Sequence, residues 1–280
     1  MPAVPHALPQ TVSRDAIAFA LRYPFAIPPH SYLYLDGAGL PLEFPAGGGL
    51  AHARVRVGGA SPSLAEFAHA RGMDAEALFG KRSAVLSFGS NAAPEQLARK
   101  FSGLPGPVLI PVLRAELAGF DAVYSAHIAR YGSVPAALAA APGCAVQVFV
   151  NFLDDEQLRL MHRSEGVGRS YAFSRLEDID LRLDGGGALD RVCFYRSCAG
   201  VLVRDGLPIA LAAIPARRRR FPALDQRGVL DWVRGRLAPE LDLESFIAGN
   251  IAAPEWRAAN IRSLSASAAP AGFTSVDCPT

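Results

Sequence analysis

Two short stretches carry residue types that could do chemistry together. The first ends the run Leu158, Met161, Glu165, whose i, i+3, i+7 spacing sets a carboxylate on the apolar stripe of a helix. Gly166 is suited to end that helix, so Glu165 falls in its last turn, where the helix dipole is negative. Dipole and partial burial both disfavour an ionised carboxylate, a setting that suits a group able to take and return a proton near neutrality. The competing reading is a side chain turned outward from a frayed last turn. The second stretch is Phe88-Gly89-Ser90-Asn91, between the apolar run from Ala84 and a helix opened by Pro94, Glu95 and Gln96. A strand that breaks at glycine and feeds a helix leaves backbone N–H groups unpaired and pointing one way. That arrangement suits an anion or a developing oxyanion. Taken alone it is equally a plain connection.

Other reactive types are less well placed. Ser90 as a nucleophile needs a base, and neither His127 nor His162 is near it in sequence; the surroundings of a nucleophile elbow are also missing. Tyr124 and Tyr131 read as packing, and Arg169, just past the helix end, reads as a solvated side chain that could alternatively meet a substrate carboxylate. Cys144, Cys193, Cys198 and Cys278 have neither metal-ligand spacing nor the density of a disulfide scaffold. The run Arg217-Arg218-Arg219-Arg220 is expected to be a solvated loop, with an anion patch as the minor alternative.

The elements that must hold the two stretches follow from pattern and caps. Met1–Gln10, with three prolines, is expected to be an arm without regular structure. Ser13 caps a short helix that Pro24 ends; Ser31–Leu35 and Leu40–Phe44 form a hairpin about Asp36-Gly37. A short strand from Ala53, a helix opened by Ser61 or Ser63, and another capped by Asp74 complete the first part. Val108–Ser125 reads as a bent strand or two short ones, and Pro142-Gly143 as the turn of a hairpin between Ala136–Ala141 and Ala145–Phe152. Asp154 with Gln157 forms a capping box for the helix of Glu165. Two further hairpins, 179–195 and 201–211, precede helices opened by Asp225 and near Leu241, and a loose tail is expected from about Ser263.

Composition sets outer bounds. The chain has 280 residues with 50% hydrophobic content, enough to fill a sizeable core, and a formal net charge of +2. Such a balance gives no case for nucleic acid or an acidic membrane surface as partner. No signal-like segment or bilayer-length apolar run is legible, so a cytoplasmic, reducing location is the expectation.

Three features, in this order, resemble the γ-glutamylcyclotransferase-like family: Phe88-Gly89-Ser90-Asn91, the turn at Pro142-Gly143, and Leu160-Met161-His162-Arg163-Ser164-Glu165-Gly166 with Tyr171 shortly after. In that family a strand ends in Tyr-Gly-Ser-Asn, and a later helix ends in glutamate and glycine with a tyrosine a few residues on. The resemblance spans roughly Ala84 to Tyr195. It implies an α+β fold, a mixed β-barrel with flanking helices and a pocket at its mouth. The chain then divides into an N-terminal addition (1–80), the barrel domain (81–215) and a helical C-terminal extension (216–280). The implied reaction cleaves γ-glutamyl amides: the substrate's α-amine attacks its own γ-carbonyl, releasing 5-oxoproline and an amine. Glu165 would be the general base and acid, with Phe88, Gly89, Ser90, Asn91 and Tyr171 binding a small γ-glutamyl substrate, and no cofactor or metal. Phe88 departs from the family tyrosine, and Ala92-Ala93 follows Asn91, so contacts just beyond the motif do not carry over. A binding protein that keeps the pocket without turnover is the rival.

Overall fold

The computed structural model describes residues 12–45, 48–73 and 80–279. The expected arm at Met1–Gln10 and the helix capped by Asp74 lie outside them. The architecture is α+β, built on a large, mostly antiparallel sheet with helices around it.

Local signals place most elements. Helix α1 (Arg14–Leu21) is capped by the Ser13 side chain, and α2 (Leu64–His69) by a capping box of Ser63 and Glu66. Strands β1 (Tyr32–Leu35) and β2 (Ala38–Glu43) form the expected hairpin; β3 (Arg54–Val55) adds to β2, and β1 pairs with a central strand. Strand β4 (Ser83–Ser87) delivers Phe88-Gly89-Ser90-Asn91, and α3 (Pro94–Phe101) follows with proline in its first turn.

The two longest strands are β5 (Leu109–Tyr124) and β6 (Ala136–Leu153). Pro142-Gly143 does not turn a hairpin, as the sequence suggested. Ala118 pairs with Ala145 and Phe120 with Ala140, so β6 bulges opposite Gly119 and runs on. Gly119 and Gly143 both take positive φ, 81° and 82°, which lets each strand bend without ending. Helix α4 (Asp155–Glu165) has the expected Asp154–Gln157 capping box and ends at Gly166 with φ 62°.

Strand β7 (Tyr171–Leu176) is followed by β8 (Leu181–Leu183), β9 (Ala188–Leu189) and β10 (Val192–Ser197). The expected hairpin over 179–195 divides: β9 pairs with β8, whereas β10 leaves it to lie between β7 and β4. Helices α5 (Gln226–Leu237), α6 (Leu243–Ala252) and α7 (Pro254–Ser265) complete the chain's second half. The tail is not loose: Ala269 bridges Val201, and Val276–Asp277 pairs with β7.

Along the main path the sheet runs from Val276–Asp277 through β7, β10, β4, β6, β5, β1 and β2 to β3, with short strands branching from it. Among the described residues that path has two ends, so the closed barrel of the sequence reading is not found. No helix among them is long and apolar enough to cross a membrane. In the arginine run Arg217, Arg218 and Arg220 are exposed, as expected of a solvated loop, and Arg219 departs from it. Arg219 turns inward and makes a bidentate ion pair, at 2.8 Å, with Asp121, which is 0% exposed. A carboxylate deep in a sheet requires such a partner.

Candidate functional site

A cavity of about 890 Å³ opens where β4 ends, bounded by α3, the end of α4, the loop 127–135 and α7. Phe88, Gly89, Ser90, Asn91, Glu165 and Tyr171, distant in sequence, all line it.

The turn is held from below. Asn151 on β6, 0% exposed, donates from Nδ2 to Asn91 O at 3.0 Å and to Ser87 Oγ at 3.2 Å. Tyr32 Oη donates to Ala92 O at 2.7 Å. The turn closes itself with the N–H groups of Ala92 and Ala93, donated to Gly89 O and Ser90 O, and does not use those of Gly89, Ser90 and Asn91 for that purpose. Gly89 has no room for a side chain: a Cβ there would stand 2.5 Å from Tyr23 Oη and 3.0 Å from Ala136 Cβ.

Glu165 faces this turn. Asn91 Nδ2 donates to its Oε1 at 3.0 Å, and the Lys100 ammonium pairs with the same oxygen. Among the described residues Oε2 has no partner. The side chains of Lys100 and Glu165 are 14% and 12% exposed, which excludes the outward-turned reading of the glutamate. Lys100 also donates to Ser164 Oγ at 3.0 Å and reaches Met161 Sδ at 3.5 Å. Dipole and burial, the two effects legible in the sequence, are thus opposed by a cation that the sequence reading omitted. Asn91 Oδ1 is buried without a hydrogen-bond partner, an acceptor set beside the carboxylate.

The remaining lining is cationic and phenolic. Arg99, Lys100, Arg130, Arg163, Arg169 and Arg257 line the cavity, and Glu165 is the acid among its lining residues. Arg257, whose guanidinium donates to Asn250 O, has its pKa lowered by burial and then by Arg130. Arg169, expected to be solvated, is exposed yet lies on this rim.

Tyr23, Tyr131, Tyr171 and Tyr195 surround the glutamate, and each is pushed above the ordinary phenol value, first by burial and further by the nearby Glu165 charge. Tyr195 Oη shares a hydrogen bond with His162 Nδ1 at 3.0 Å, and the His162 ring stands edge-on to Phe173. His127, also in the cavity wall, is pushed down to about 4 by burial and then by Arg257. No hydrogen bond joins Ser90 to either histidine among the described residues, so the structure supplies no base for a serine nucleophile. Phe88 packs toward Phe194, ring centroids 6.5 Å apart, and offers the cavity no polar atom. No group of three or more metal-ligating side chains occurs among the described residues.

Sequence reasoning missed Tyr23, Lys100, Tyr195 and Arg257, and set Tyr131 aside. For Lys100 a signal existed, since it follows the inward-facing Leu97 by three positions on α3. For Tyr23 there was none.

No family model and no curated protein matches the chain. Solved structures similar to it include the following two. One is a gamma-glutamyl cyclotransferase, 12% identical, covering 69% of this chain and 92% of that one, with a TM-score of 0.34. The other is an uncharacterised protein from Homo sapiens, 13% identical, covering 70% and 92%, with a TM-score of 0.35. Likenesses of this size carry no weight for the reaction.

Proposed function

We propose that the cavity cleaves a γ-glutamyl amide by intramolecular cyclotransfer. The observation that carries this reading is the position of Glu165. It is a largely buried carboxylate with Oε2 unpartnered, set against a turn whose Gly89, Ser90 and Asn91 N–H groups take no part in its own closure. The order of the sequence motifs supports it independently.

The substrate's α-ammonium is directed to Glu165 Oε2 and to the unpartnered Asn91 Oδ1. Glu165 takes one proton, and the freed amine attacks the γ-carbonyl carbon to form a five-membered ring. Negative charge collects on the carbonyl oxygen, and its stabilisation is assigned to the Gly89, Ser90 and Asn91 N–H groups of the turn. As the tetrahedral centre collapses, Glu165 gives the first proton to the leaving nitrogen and the bond to that amine breaks; the carboxylate so freed takes the second proton from the ring nitrogen and passes it to the released amine or to solvent. 5-Oxoproline and the free amine leave, with no hydrolytic water consumed. Holding the amine against its own carbonyl supplies much of the rate. The cationic rim favours a substrate with negative charge beyond its α-carboxylate.

The test is incubation with γ-glutamyl amides whose leaving amines are anionic, neutral and cationic, followed by assay of 5-oxoproline. Release, fastest from the anionic member, is expected. No release from any member by the folded protein overturns the proposal. One observation favours a second reading, a pocket that binds without turnover: Lys100 holds Glu165 Oε1 and competes for the carboxylate. A ligand that stabilises wild type and Glu165→Gln equally, and is not consumed, would establish that reading.

A further inference from the structure

The cavity includes a hydroxyl from far outside the motif stretch. Tyr23 follows α1, in a bend closed by Phe25, which holds the left-handed φ of 69°. Its ring is 5% exposed and edge-on to Phe25, with centroids 6.1 Å apart. Ser133 Oγ ties the end of α1 to the cavity loop by donating to Ala20 O at 2.8 Å. The Tyr23 oxygen accepts from Ala136 N at 2.7 Å and stands against Gly89 of the turn.

These contacts fix what the phenol can do. A backbone donor occupies its oxygen, and the phenol keeps its own proton to donate. Burial keeps that proton on the oxygen at neutral pH. Tyr23, Ser90 and Tyr131 all line the cavity, so the donor lies among the groups at the turn. Phe88 offers no hydroxyl of its own.

We infer that Tyr23 is a hydrogen-bond donor of the anion cradle, its phenol proton directed to an oxyanion of the substrate. That oxygen is either the α-carboxylate or the γ-carbonyl oxygen as it gains charge. The inference rests on the cyclotransfer reading of the site and adds a residue that neither motif contains. It also accounts for Gly89, since any side chain there would displace the Tyr23 hydroxyl.

The experiment compares wild type, Tyr23→Phe and a protein carrying 3-fluorotyrosine at position 23, with γ-glutamyl-alanine as substrate. Tyr23→Phe keeps the ring and loses the donor; about a 10- to 100-fold fall in kcat/KM is expected, with near-UV circular dichroism unchanged. A rise in KM alone places the α-carboxylate at Tyr23, and a fall in kcat places the developing oxyanion there. Because Tyr23→Phe strips the Ala136 N–H of its acceptor and can unfold, the fluorinated protein is the second arm. It preserves packing but makes the phenol a stronger hydrogen-bond donor, so kcat/KM at neutral pH should differ from wild type. Unchanged kcat/KM in folded Tyr23→Phe, or in the fluorinated protein, would overturn the inference. If wild type releases no 5-oxoproline from any amide, the cyclotransfer reading fails separately, and 5-oxoproline binding by calorimetry decides the role of Tyr23. Weaker binding in Tyr23→Phe retains the donor; equal binding, or none in wild type, removes it.

Discussion

Lys100 is the residue that most changes the picture of Glu165. An ammonium and a carboxylate, each mostly out of water, depend on one another: removing either leaves a charge buried without compensation. Lys100→Met is expected to cost about 3 kcal/mol in urea unfolding. In Lys100→Met/Glu165→Gln no net charge remains, so the double variant should be more stable than the sum of the single losses predicts. Additive losses would show that the pair is not coupled. The partnership was illegible because the two residues lie 65 positions apart and meet only when α3 packs beside α4. By contrast the Asp154–Gln157 capping box, contained within four residues, was read directly. Reach in sequence separates what pattern could show at the site from what it could not.

At the level of elements, the turn after β4 is a fitted part. Gly89 is extended, with φ −162°, so conformational freedom is not the reason for glycine there; the Tyr23 hydroxyl and Ala136 Cβ leave no volume. Gly89→Ala is therefore expected to lose about 1–3 kcal/mol. Combined with Tyr23→Phe, which removes the nearer of the two obstructing atoms, the loss should be smaller than the sum of the two single losses. Chemical denaturation of the three variants checks this; strict additivity would mean that the alanine is accommodated elsewhere. Strand and helix identities here followed from period and caps. The misread element, the supposed hairpin at Pro142-Gly143, failed for a local reason. Proline and glycine signal a turn, yet opposite Gly119 they make a bulge within two paired strands, and only the partner strand decides between the two.

Across the molecule, segments from both halves of the chain meet at the cavity. Tyr23 closes one side, Pro254, Arg257, Ala258 and Ile261 of α7 another, and Val276–Asp277 extends the sheet beside β7. Composition alone showed a near-neutral protein, while folding gathers six cations and one carboxylate around a single cavity. Burial in the cavity wall, with Arg257 adding to it, gives a pH dependence. His127, lowered to about 4 from an ordinary 6.5, is neutral in the folded chain while the unfolded chain takes up a proton between those values. Its contribution is complete above pH 6.5, is lost as pH falls toward 4 and does not change further below it. The loss across this window is about 3 kcal/mol. His162, also lowered by burial, acts in the same direction. Denaturation at pH 7 and pH 4.5 should show a smaller loss in His127→Gln than in wild type, and equal losses would contradict the assignment.

The central claim is that Glu165 moves the proton in a cyclotransfer, and the most direct measurement is 5-oxoproline release from γ-glutamyl-alanine by wild type and by Glu165→Gln. The amide keeps the shape and an acceptor oxygen but has no basic carboxylate. Release by wild type, with a fall of about 10²–10⁴-fold in kcat for a folded Glu165→Gln, is the predicted result. Equal kcat values in the two proteins would contradict it.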